Sequence, residues 1–472
     1  MNYNDIKNKD IDAFNKEKYE YTKRTNEKLN AVVNFNDIDK ELKRIKGVDN
    51  NSLLYGVAVA LKDNVNTKGL TTTACSNILK NYVPVYDATI VKKLKDAGCL
   101  IMCKASMDEL AMGGTNLNAN IGKCNNPYDI NRITGGSSGG SAALVASGCV
   151  AMAIGSDTGD SIRKPAGYCG VVGMKPTYGR ISRYGIIPYA SSLDTVGFFT
   201  SNVEDAALSL EILAGRDNLD LTSSNLEVEK YSQLINGDIK GKKITVIDNI
   251  ISAIDCKDIV NEFNALIAKL KEKGAIIKHV CFKQELLEAL LPTYFIIANA
   301  EATANHSNLD GIRFGDGKDG ESVEEVMINS RTQGLSGYVR KRFVIGSYSL
   351  FEENQEKIFR KAQKVRRVIV NELNSILDDS DVIIAPSAGT IAPKEDEEAG
   401  EKLSCTYLVA ENHMLLANFS GYPSISVPTA MVDNMPIGIN ITAKRFEEVN
   451  LLNIAKGIED VCDMKNKTVE VE

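Results

Sequence analysis

The sequence predicts an α/β fold in which one large domain has a central mixed β-sheet flanked by helices. Residues 53–61 are mostly apolar at both odd and even positions, which is typical of a strand buried on both faces of a sheet. Two helical segments, residues 87–97 and 258–273, are each followed by a glycine and a short apolar segment, at 99–104 and 275–281. This alternation of helix and strand indicates the α/β class.

No internal repeat or low-complexity linker interrupts the chain, so we predict a single domain over residues 1–472. Its first part, residues 1–35, is charged and compatible with a helical segment that packs one face on the domain. Residues 388–404 contain four consecutive acidic residues and are expected to form a solvated loop. The other predicted elements are mainly helical segments at 203–213, 283–314 and 338–377 and strands at 243–248, 424–428 and 436–442.

Composition narrows the possible classes of function. The 472 residues are 43% hydrophobic and carry a formal charge of −7, with no long block of lysine or arginine. Extended binding of a nucleic-acid backbone by this chain alone is therefore not expected, and any nucleic acid would be held mainly by a partner. The amino terminus is polar, and the longest apolar run, residues 142–155, is too short to cross a bilayer. We therefore expect a cytoplasmic protein with no membrane contact.

A metal site is not expected. The ten cysteines are irregularly spaced and include no Cys-x-x-Cys pair, so a structural zinc site is disfavoured. Reduced thiols within the core explain these cysteines better.

Two runs rich in glycine and serine, residues 135–141 and 155–165, are the main candidates for a functional site. Such turns can present backbone N–H groups to a phosphate, or they can surround an oxyanion beside a serine nucleophile. The first run lacks the lysine of a P-loop and does not form a clean dinucleotide-binding motif, so a nucleotide site has weak support.

A serine nucleophile needs a base that accepts its proton. The motif Gly-x-Ser-x-Gly is matched at Ser137 and Ser138, but in so glycine-rich a run the match has little specificity. Each of the three histidines, His279, His306 and His413, is better explained as a structural residue, which disfavours a Ser-His-Asp triad.

Lys62 is the alternative base, because burial at the end of a strand would lower its pKa. The competing explanation is that the strand simply ends in solvent at Lys62, and the position of the residue alone favours this second explanation.

Both runs, together with residues 173–180, resemble the amidase signature family. The matching segments read Gly-Gly-Ser-Ser-Gly-Gly-Ser, Gly-Ser-Asp-Thr-Gly-x-Ser-Ile-Arg-x-Pro-Ala and Gly-x-Lys-Pro-Thr-x-Gly-Arg. The resemblance implies the amidase signature fold, with its core signature at about residues 53–200. It also implies a triad of a serine nucleophile, a cis-serine and a lysine. These roles would be carried by Ser161, Ser137 and Lys62, respectively.

By the same resemblance, backbone N–H groups of the turn before the nucleophile would form the oxyanion hole. The residues concerned are Thr158, Gly159 and Asp160. Further matches at residues 294–302, 310–315, 340–346 and 436–438 resemble, within that family, the glutaminase subunits of tRNA-dependent amidotransferases. The substrate-binding residues that this implies are Met112, Tyr294, Arg342 for the α-carboxylate of glutamine, and Glu411 for its amino group.

The resemblance also implies the reaction and the partners. The chain would hydrolyse free glutamine without a cofactor of its own and supply ammonia to the B and C subunits of a heterotrimer. A partner subunit would hold most of the tRNA, and ATP and Mg²⁺ would act there. Two alternatives remain open, namely a stand-alone amidase acting on another small amide and a catalytically impaired structural subunit.

The sequence departs from the family pattern at two places. Asp160 stands where the family usually has glycine, and aspartate is among the few residues that tolerate a left-handed backbone. We predict that its carboxylate points away from the oxyanion site or pairs with Arg163 or Lys164. The second departure concerns Glu411. The family usually has an aspartate in this region that holds the amino group of glutamine, and Glu411, the nearest match, is displaced by one residue from that position.

Overall fold

One mixed sheet of eleven strands forms the centre of the computed structural model, which describes residues 2–398 and 405–471. The spatial order of the strands is β1-β3-β2-β4-β6-β5-β10-β11-β9-β7-β8. Parallel pairs occur in two groups, β3-β2-β4 and β9-β7-β8, and the other neighbours are antiparallel. The predicted α/β class with a mixed sheet is confirmed. The strands are β1 (Val32–Phe35), β2 (Ala58–Lys62), β3 (Leu100–Ala105), β4 (Met152–Asp157), β5 (Val172–Lys175), β6 (Thr195–Thr200), β7 (Lys243–Ile247), β8 (Ile276–Val280), β9 (Val382–Pro386), β10 (Ser424–Val432) and β11 (Met435–Ala443).

Twenty α-helices and two short 3₁₀ helices flank the sheet within the described ranges. The α-helices are α1 (Tyr3–Lys7), α2 (Ile11–Leu29), α3 (Ile38–Ile45), α4 (Thr89–Asp96), α5 (Gly139–Ala146), α6 (Arg163–Cys169), α7 (Val203–Leu213), α8 (Tyr231–Leu234), α9 (Asp248–Ile251), α10 (Lys257–Glu272), α11 (Gln284–Glu288), α12 (Leu290–Asn305), α13 (Val323–Gly334), α14 (Gly337–Leu350), α15 (Glu352–Gln355), α16 (Phe359–Leu377), α17 (Glu395–Glu398), α18 (Cys405–Asn412), α19 (Leu415–Ser420) and α20 (Glu448–Glu459). The 3₁₀ helices are Asn77–Leu79 and Glu109–Ala111.

The parallel strands β2, β3 and β4 bring several polar residues to one edge of the sheet. Their carboxyl ends lie at the same edge because the three strands run in the same direction. Strand β2 ends at Lys62, β4 ends at Asp157, and Ser106 and Asp108 follow β3 closely. All four side chains are buried. A buried cluster of polar groups at this edge of the sheet indicates a candidate functional site.

The packing of β2 explains the direction of Lys62. Val59 and Leu61 lie in the larger apolar cluster on one face, whereas Ala58 and Ala60 lie in a second cluster that includes helix α5. Alternate residues of a strand point to opposite faces, so Lys62 follows Ala58 and Ala60 toward α5. The two alanines leave room for α5 close to the sheet, and the predicted burial of this strand on both faces is confirmed.

Most of the predicted elements are confirmed. Helix α7 has the predicted bounds, and the side chain of Asn202 caps its first turn by accepting from the N–H of Asp205. The strands predicted at 243–248, 275–281, 424–428 and 436–442 correspond to β7, β8, β10 and β11. The helical segments predicted at 283–314 and 338–377 contain α11 and α12, and α14 to α16, respectively.

The prediction for residues 1–35 was wrong at its end. Helix α2 stops at Leu29, and Asn30 adopts a left-handed conformation with φ 50°. The chain then forms strand β1, which pairs with β3 in an antiparallel arrangement. The pattern of residues 31–33 is short and apolar, and such a pattern does not distinguish a helix end from an edge strand.

Residues 388–404 are not simply a solvated loop. Ala388 and Ala392 are buried in a small apolar cluster, and Glu395–Glu398 forms a single helical turn. Residues 399–404 lie outside the described part of the chain. None of the described helices has the length and apolar character needed to cross a membrane.

Candidate active site

Lys62 lies at the centre of the candidate site, with no exposed surface. Its Nζ lies 2.8 Å from the hydroxyl oxygen of Ser137, 2.8 Å from that of Ser138, and 3.2 Å from the carbonyl oxygen of Ser156. Burial lowers the pKa of Lys62 from 10.5 to about 7, although Asp108, Asp157 and Asp194 raise it. A lysine with this pKa is neutral often enough at neutral pH to accept a proton.

Ser137 and Ser138 are presented by the loop that leads into helix α5. Both are buried, and the peptide bond between Gly136 and Ser137 is cis. A Cβ atom at Gly136 would lie 2.0 Å from a carboxylate oxygen of Asp108 and 2.8 Å from the backbone nitrogen of Asn116. Only glycine fits at this position without moving the loop.

Ser161 lies next to this loop, in the turn between β4 and α6. The N–H of Ser138 donates to the carbonyl oxygen of Ser161 at 3.2 Å. Ser161 has 3% of its surface exposed, and its hydroxyl makes no hydrogen bond with any described residue. The structure therefore brings the two predicted serines and Lys62 together and leaves the Ser161 hydroxyl free.

The turn before Ser161 offers backbone donors. Within residues 2–398 and 405–471, the N–H groups of Gly159, Asp160 and Ser161 have no hydrogen-bond acceptor. The hydroxyl of Thr158 donates to Asp194 at 2.7 Å, and Asp194 also accepts from the N–H groups of Tyr189 and Ala190. Consecutive unpaired N–H groups beside a serine can stabilise a developing oxyanion.

A buried ion pair supports the backbone of this turn. Asp157 accepts two hydrogen bonds from the guanidinium of Arg163, at 3.0 and 3.1 Å, and both side chains are fully buried. Arg163 also donates to the carbonyl oxygens of Gly159 and Met414 and to the side chain of Asn418. Burial would raise the pKa of Asp157, but Arg163 and Asn418 lower it to about 2, so the carboxylate stays charged. The pair fixes the backbone from which the unpaired N–H groups project.

The carboxylate of Asp160 accepts no hydrogen bond from these N–H groups. It forms an ion pair of 3.0 Å with Lys164, which confirms one of the two predicted partners. Arg163, the other predicted partner, is already bound to Asp157. Asp160 does not have a positive φ, so the turn makes no use of the tolerance of aspartate for a left-handed backbone. The turn accommodates a residue with a side chain here without that conformation.

Glu411 lies in the same ion-pair group as Asp160. One of its carboxylate oxygens lies 3.2 Å from Nζ of Lys164, and the other accepts from the N–H of Gly389 at 3.0 Å. Asp160 and Glu411 raise the pKa of Lys164 well above its ordinary value although burial opposes them. Lys164 therefore neutralises two carboxylates that flank the turn.

Arg342 lies on α14, is 8% exposed, and makes no ion pair with a carboxylate in the described part of the chain. Its guanidinium donates to the hydroxyls of Tyr189 and Tyr338, at 2.9 and 2.5 Å, and its centre lies 5.0 Å from the centroid of the Phe295 ring. A buried guanidinium that is bound only to phenols and aromatic faces can still bind an anionic ligand.

Tyr294 connects this arginine to the turn. Its ring packs edge-on against Tyr189, with centroids 6.5 Å apart. A Cβ atom at Gly159 would lie 3.2 Å from Cζ of Tyr294, so the phenol end of Tyr294 contacts the turn. Met112 is fully buried in the apolar cluster that also contains Tyr189 and Leu415. The structure thus packs Tyr294 against the turn before Ser161 and against Tyr189, which is bonded to Arg342, and it places Met112 in the adjoining core.

The histidines do not take part in this arrangement. None of the three is hydrogen-bonded to Ser137, Ser138 or Ser161 in the described residues. Burial lowers the pKa of His306 and of His413 to about 4, and His279 pairs with Asp248 at the surface. Their interpretation as structural residues agrees with these positions.

Several residues of the site were missed by sequence reasoning. Ser138 matched the Gly-x-Ser-x-Gly motif but was given no role beside Lys62, and Asp157 lies in the second glycine-serine run, so both residues stood in segments that the sequence had singled out. Asn418 gave no such signal, because it lies 261 residues from Asp157 in the sequence. Asp194 was also missed, although it binds Thr158.

Comparisons with known proteins identify the family of the chain. The family model described as Amidase matches residues 16–452. The A subunit of the glutamyl-tRNA(Gln) amidotransferase of Lactobacillus johnsonii is 40% identical over 452 residues, which cover 94% of this chain and 91% of the relative. The protein of the same name from Geobacillus thermodenitrificans is 39% identical over 457 residues, with 95% and 93% covered. The crystal structure of the corresponding protein from Thermotoga maritima has a TM-score of 0.83 and 34% identity, and the match covers 100% of this chain and 98% of that one.

Proposed function

The chain belongs to the amidase family, and from this membership we propose that it is the glutaminase subunit of a tRNA-dependent amidotransferase. The observation that carries this proposal is the buried Lys62, whose Nζ is hydrogen-bonded to Ser137 beside an unpaired Ser161 hydroxyl. The relatives, which are named as A subunits of glutamyl-tRNA(Gln) amidotransferases, supply the substrate class.

The proposed reaction begins with a proton relay. The Ser161 hydroxyl, which has no hydrogen-bond partner among the described residues, turns toward Ser137. Neutral Lys62 then accepts the proton of the Ser137 hydroxyl while Ser137 accepts the proton of Ser161. The Ser161 oxygen attacks the side-chain amide carbon of glutamine. The proton returns along the same relay to the leaving nitrogen, which departs as ammonia, and a glutamyl ester remains on Ser161. Water then hydrolyses the ester through the same groups, which releases glutamate and restores the serine.

The free N–H groups of the turn would bind the oxyanion of the tetrahedral intermediate. Of the predicted set, Gly159 and Asp160 have N–H groups without an acceptor in the described residues, and Ser161 adds its own. The hydroxyl of Thr158 is bound to Asp194, which leaves its backbone as the part available for this role. Losing one such donor typically costs about 3 kcal/mol of transition-state stabilisation.

Arg342 is proposed to bind the α-carboxylate of glutamine, with Tyr294 and Met112 lining the space next to it. Both oxygens of Glu411 are already bound within the protein, so an ammonium group of the substrate would share that carboxylate with Lys164 and Gly389. The guanidinium of Arg342, which has no carboxylate partner in the described residues, is the stronger anchor for the amino-acid end of the substrate.

Replacing Arg342 with glutamine is expected to raise KM for glutamine about 10- to 100-fold, since a hydrogen bond to a charged group contributes about 1.5–3 kcal/mol. The change in kcat should be smaller, because the carboxylate is bound in both the ground state and the transition state. Steady-state kinetics measure this split. The matched control is Arg340→Gln, an exposed arginine on the same helix, which should leave KM unchanged. An unchanged KM in Arg342→Gln would contradict the assignment.

Ammonia from glutamine is proposed to pass to the B and C subunits of the complex. A partner would hold most of the tRNA and would use ATP and Mg²⁺ to activate the carboxyl group that receives the ammonia. No cofactor in this chain is needed for the hydrolysis itself. Since aminoacyl-tRNA is used in the cytoplasm, we propose that compartment for the chain as well.

The experiment that tests this function uses the chain co-expressed with candidate partner subunits. The purified complex should convert Glu-tRNA(Gln) to the amidated form with glutamine as the nitrogen donor. A parallel assay with Asp-tRNA(Asn) shows whether the complex also amidates that substrate. A chain that remains monomeric and hydrolyses simple amides efficiently without partners would instead be a stand-alone amidase.

A further inference from the structure

A cavity away from the three serines is lined by arginines. It has a volume of about 460 Å³ and lies between α16, the end of α19 and the segments that carry Tyr422 and Arg445. Three arginines line it, namely Arg366, Arg367 and Arg445, together with the neutral polar side chains of Gln363 and Tyr422. None of the described residues that line this cavity is acidic. None of the three guanidinium groups forms an ion pair with a carboxylate of the described residues, although the formal charge of the chain is −7.

Arg366 is a fixed part of the wall. Its guanidinium donates to the carbonyl oxygen of Phe419 at 2.9 Å, to the hydroxyl of Ser192 at 2.9 Å and to the carbonyl oxygen of Ser192 at 3.1 Å. These acceptors are neutral. Burial lowers the pKa of Arg366, and Glu301, which accepts from the N–H of Ser192 at 2.8 Å, opposes this effect. Arg366 is therefore a fixed cation of the wall whose charge Glu301 partly offsets, and the exposed Arg367 and Arg445 supply the rest of the cavity's positive charge.

Arg367 and Arg445 are free to bind a ligand. Both are exposed, and neither forms an ion pair with a described residue. The centre of the Arg445 guanidinium lies 4.9 Å from the ring of Phe446, a contact that leaves its N–H groups available. Two guanidinium groups that face one cavity can donate several charge-assisted hydrogen bonds to the oxygens of one anion.

The positive surface continues along α16. Lys361, Lys364 and Arg367 are spaced at intervals of three residues, are exposed, and lack ion pairs in the described ranges. At 1.5 Å per residue they span about 9 Å of the helix. An extended series of cations favours a ligand with more than one phosphate over a single small carboxylate.

We propose that the cavity and the adjoining cations of α16 form a binding site for the phosphate groups of a polyanionic ligand. The ligand is an RNA strand or a small molecule that carries linked phosphates, since the two share this chemistry. The site is distinct from the glutamine site. Helix α19 separates them, because Leu415 at its start contacts Gly159 whereas Phe419 and Ser420 at its end line the cavity.

Two probes test the proposal with the full chain. The first is inorganic tripolyphosphate in isothermal titration calorimetry, and the second is a fluorescein-labelled RNA of about 12 nucleotides in fluorescence anisotropy at two salt concentrations. We expect saturable binding of at least one probe. In the variant that combines Arg367→Gln and Arg445→Gln, binding should weaken at least about tenfold, since each lost charge-assisted contact is substantial. Arg366 is left intact because it supports Ser192 and Phe419.

The matched control is Arg360→Gln, on the same helix, whose partner is Glu356 rather than a ligand. It should bind both probes as the unaltered chain does. Binding of RNA that weakens steeply with salt would identify a nucleic-acid strand, and preferential binding of tripolyphosphate would identify the small molecule. Absence of saturable binding to both probes, or equal binding by the double variant, would overturn the proposal. Neither readout depends on glutamine hydrolysis, so the result is independent of the proposed glutaminase function.

Discussion

Replacing Ser161 with alanine is expected to lower the rate of glutamine hydrolysis by about 10⁴-fold or more, because the covalent intermediate can no longer form. The fold should be retained, since the Ser161 hydroxyl makes no hydrogen bond with a described residue. The measurement is the release of glutamate and ammonia from glutamine by the assembled complex. Thermal unfolding of the variant shows whether the protein remains folded.

Ser141→Ala is the matched control for this substitution. Ser141 belongs to the same glycine-serine run as Ser137 and is fully buried, but its hydroxyl donates to the carbonyl oxygen of Ile154. Its removal should cost about 1 kcal/mol of stability and little activity. If the complex hydrolysed glutamine equally well with and without the Ser161 hydroxyl, Ser161 would not be the nucleophile. If the unaltered complex showed no hydrolysis, the chain would be an impaired structural subunit.

Replacing Lys62 with methionine is expected to lower the rate of hydrolysis by about 10²- to 10⁴-fold, which is the usual contribution of a general base. In the unaltered protein, kcat/KM should rise with pH and level off above about pH 7, because the neutral form of Lys62, whose pKa is about 7, is the base. The corresponding rise should be absent from the residual activity of Lys62→Met. A pH profile that is the same in both proteins would assign the base to another group.

Lys104→Met is a close control, because Lys104 is also a fully buried lysine on a neighbouring strand. Its Nζ binds the carbonyl oxygen of Val65 instead of a serine, and burial lowers its pKa to about 8. The control should keep most of the activity and the pH dependence of the unaltered protein. A loss as large as that of Lys62→Met would show that a buried lysine, rather than the contact with Ser137, is what the activity requires.

Lys62 also makes the stability of the fold depend on pH. The folded-state pKa of about 7 lies below the ordinary value of 10.5, so between these values the unfolded chain binds a proton that the folded chain does not. The contribution of Lys62 to the free energy of unfolding therefore rises as the pH rises from about 7 to about 10.5. Below pH 7, Lys62 is protonated in both states, and its burial as a charged group lowers the free energy of unfolding by the full amount. The burial that makes Lys62 a base thus opposes folding, and Lys62→Met should be no less stable than the unaltered protein in urea unfolding at pH 7.

Much of the site could be predicted because its motifs are local. Ser137 and Ser161 each lie in a short glycine-rich run whose resemblance to the amidase signature family implied their roles and that of Lys62. Position alone favoured a Lys62 that leaves its strand into solvent, and the complete burial of its side chain shows that this expectation was wrong. The pairing of Asp160 was predicted only as a choice between Arg163 and Lys164. Arg163 was excluded by its bond to Asp157, which becomes visible only when the turn is folded.

Periodicity in the sequence was sufficient to predict the fold class and about half of the helices and strands, whereas the residues of the proposed triad were implied by the resemblance to the amidase signature family. The order of the strands, the strand β1 after α2, and the support of the turn by Asn418 depend instead on tertiary packing. The same packing turns Lys62 toward Ser137 and brings three arginines from two distant segments to one cavity. These features join residues far apart in the chain, and no local pattern encodes which distant segment will pack against which.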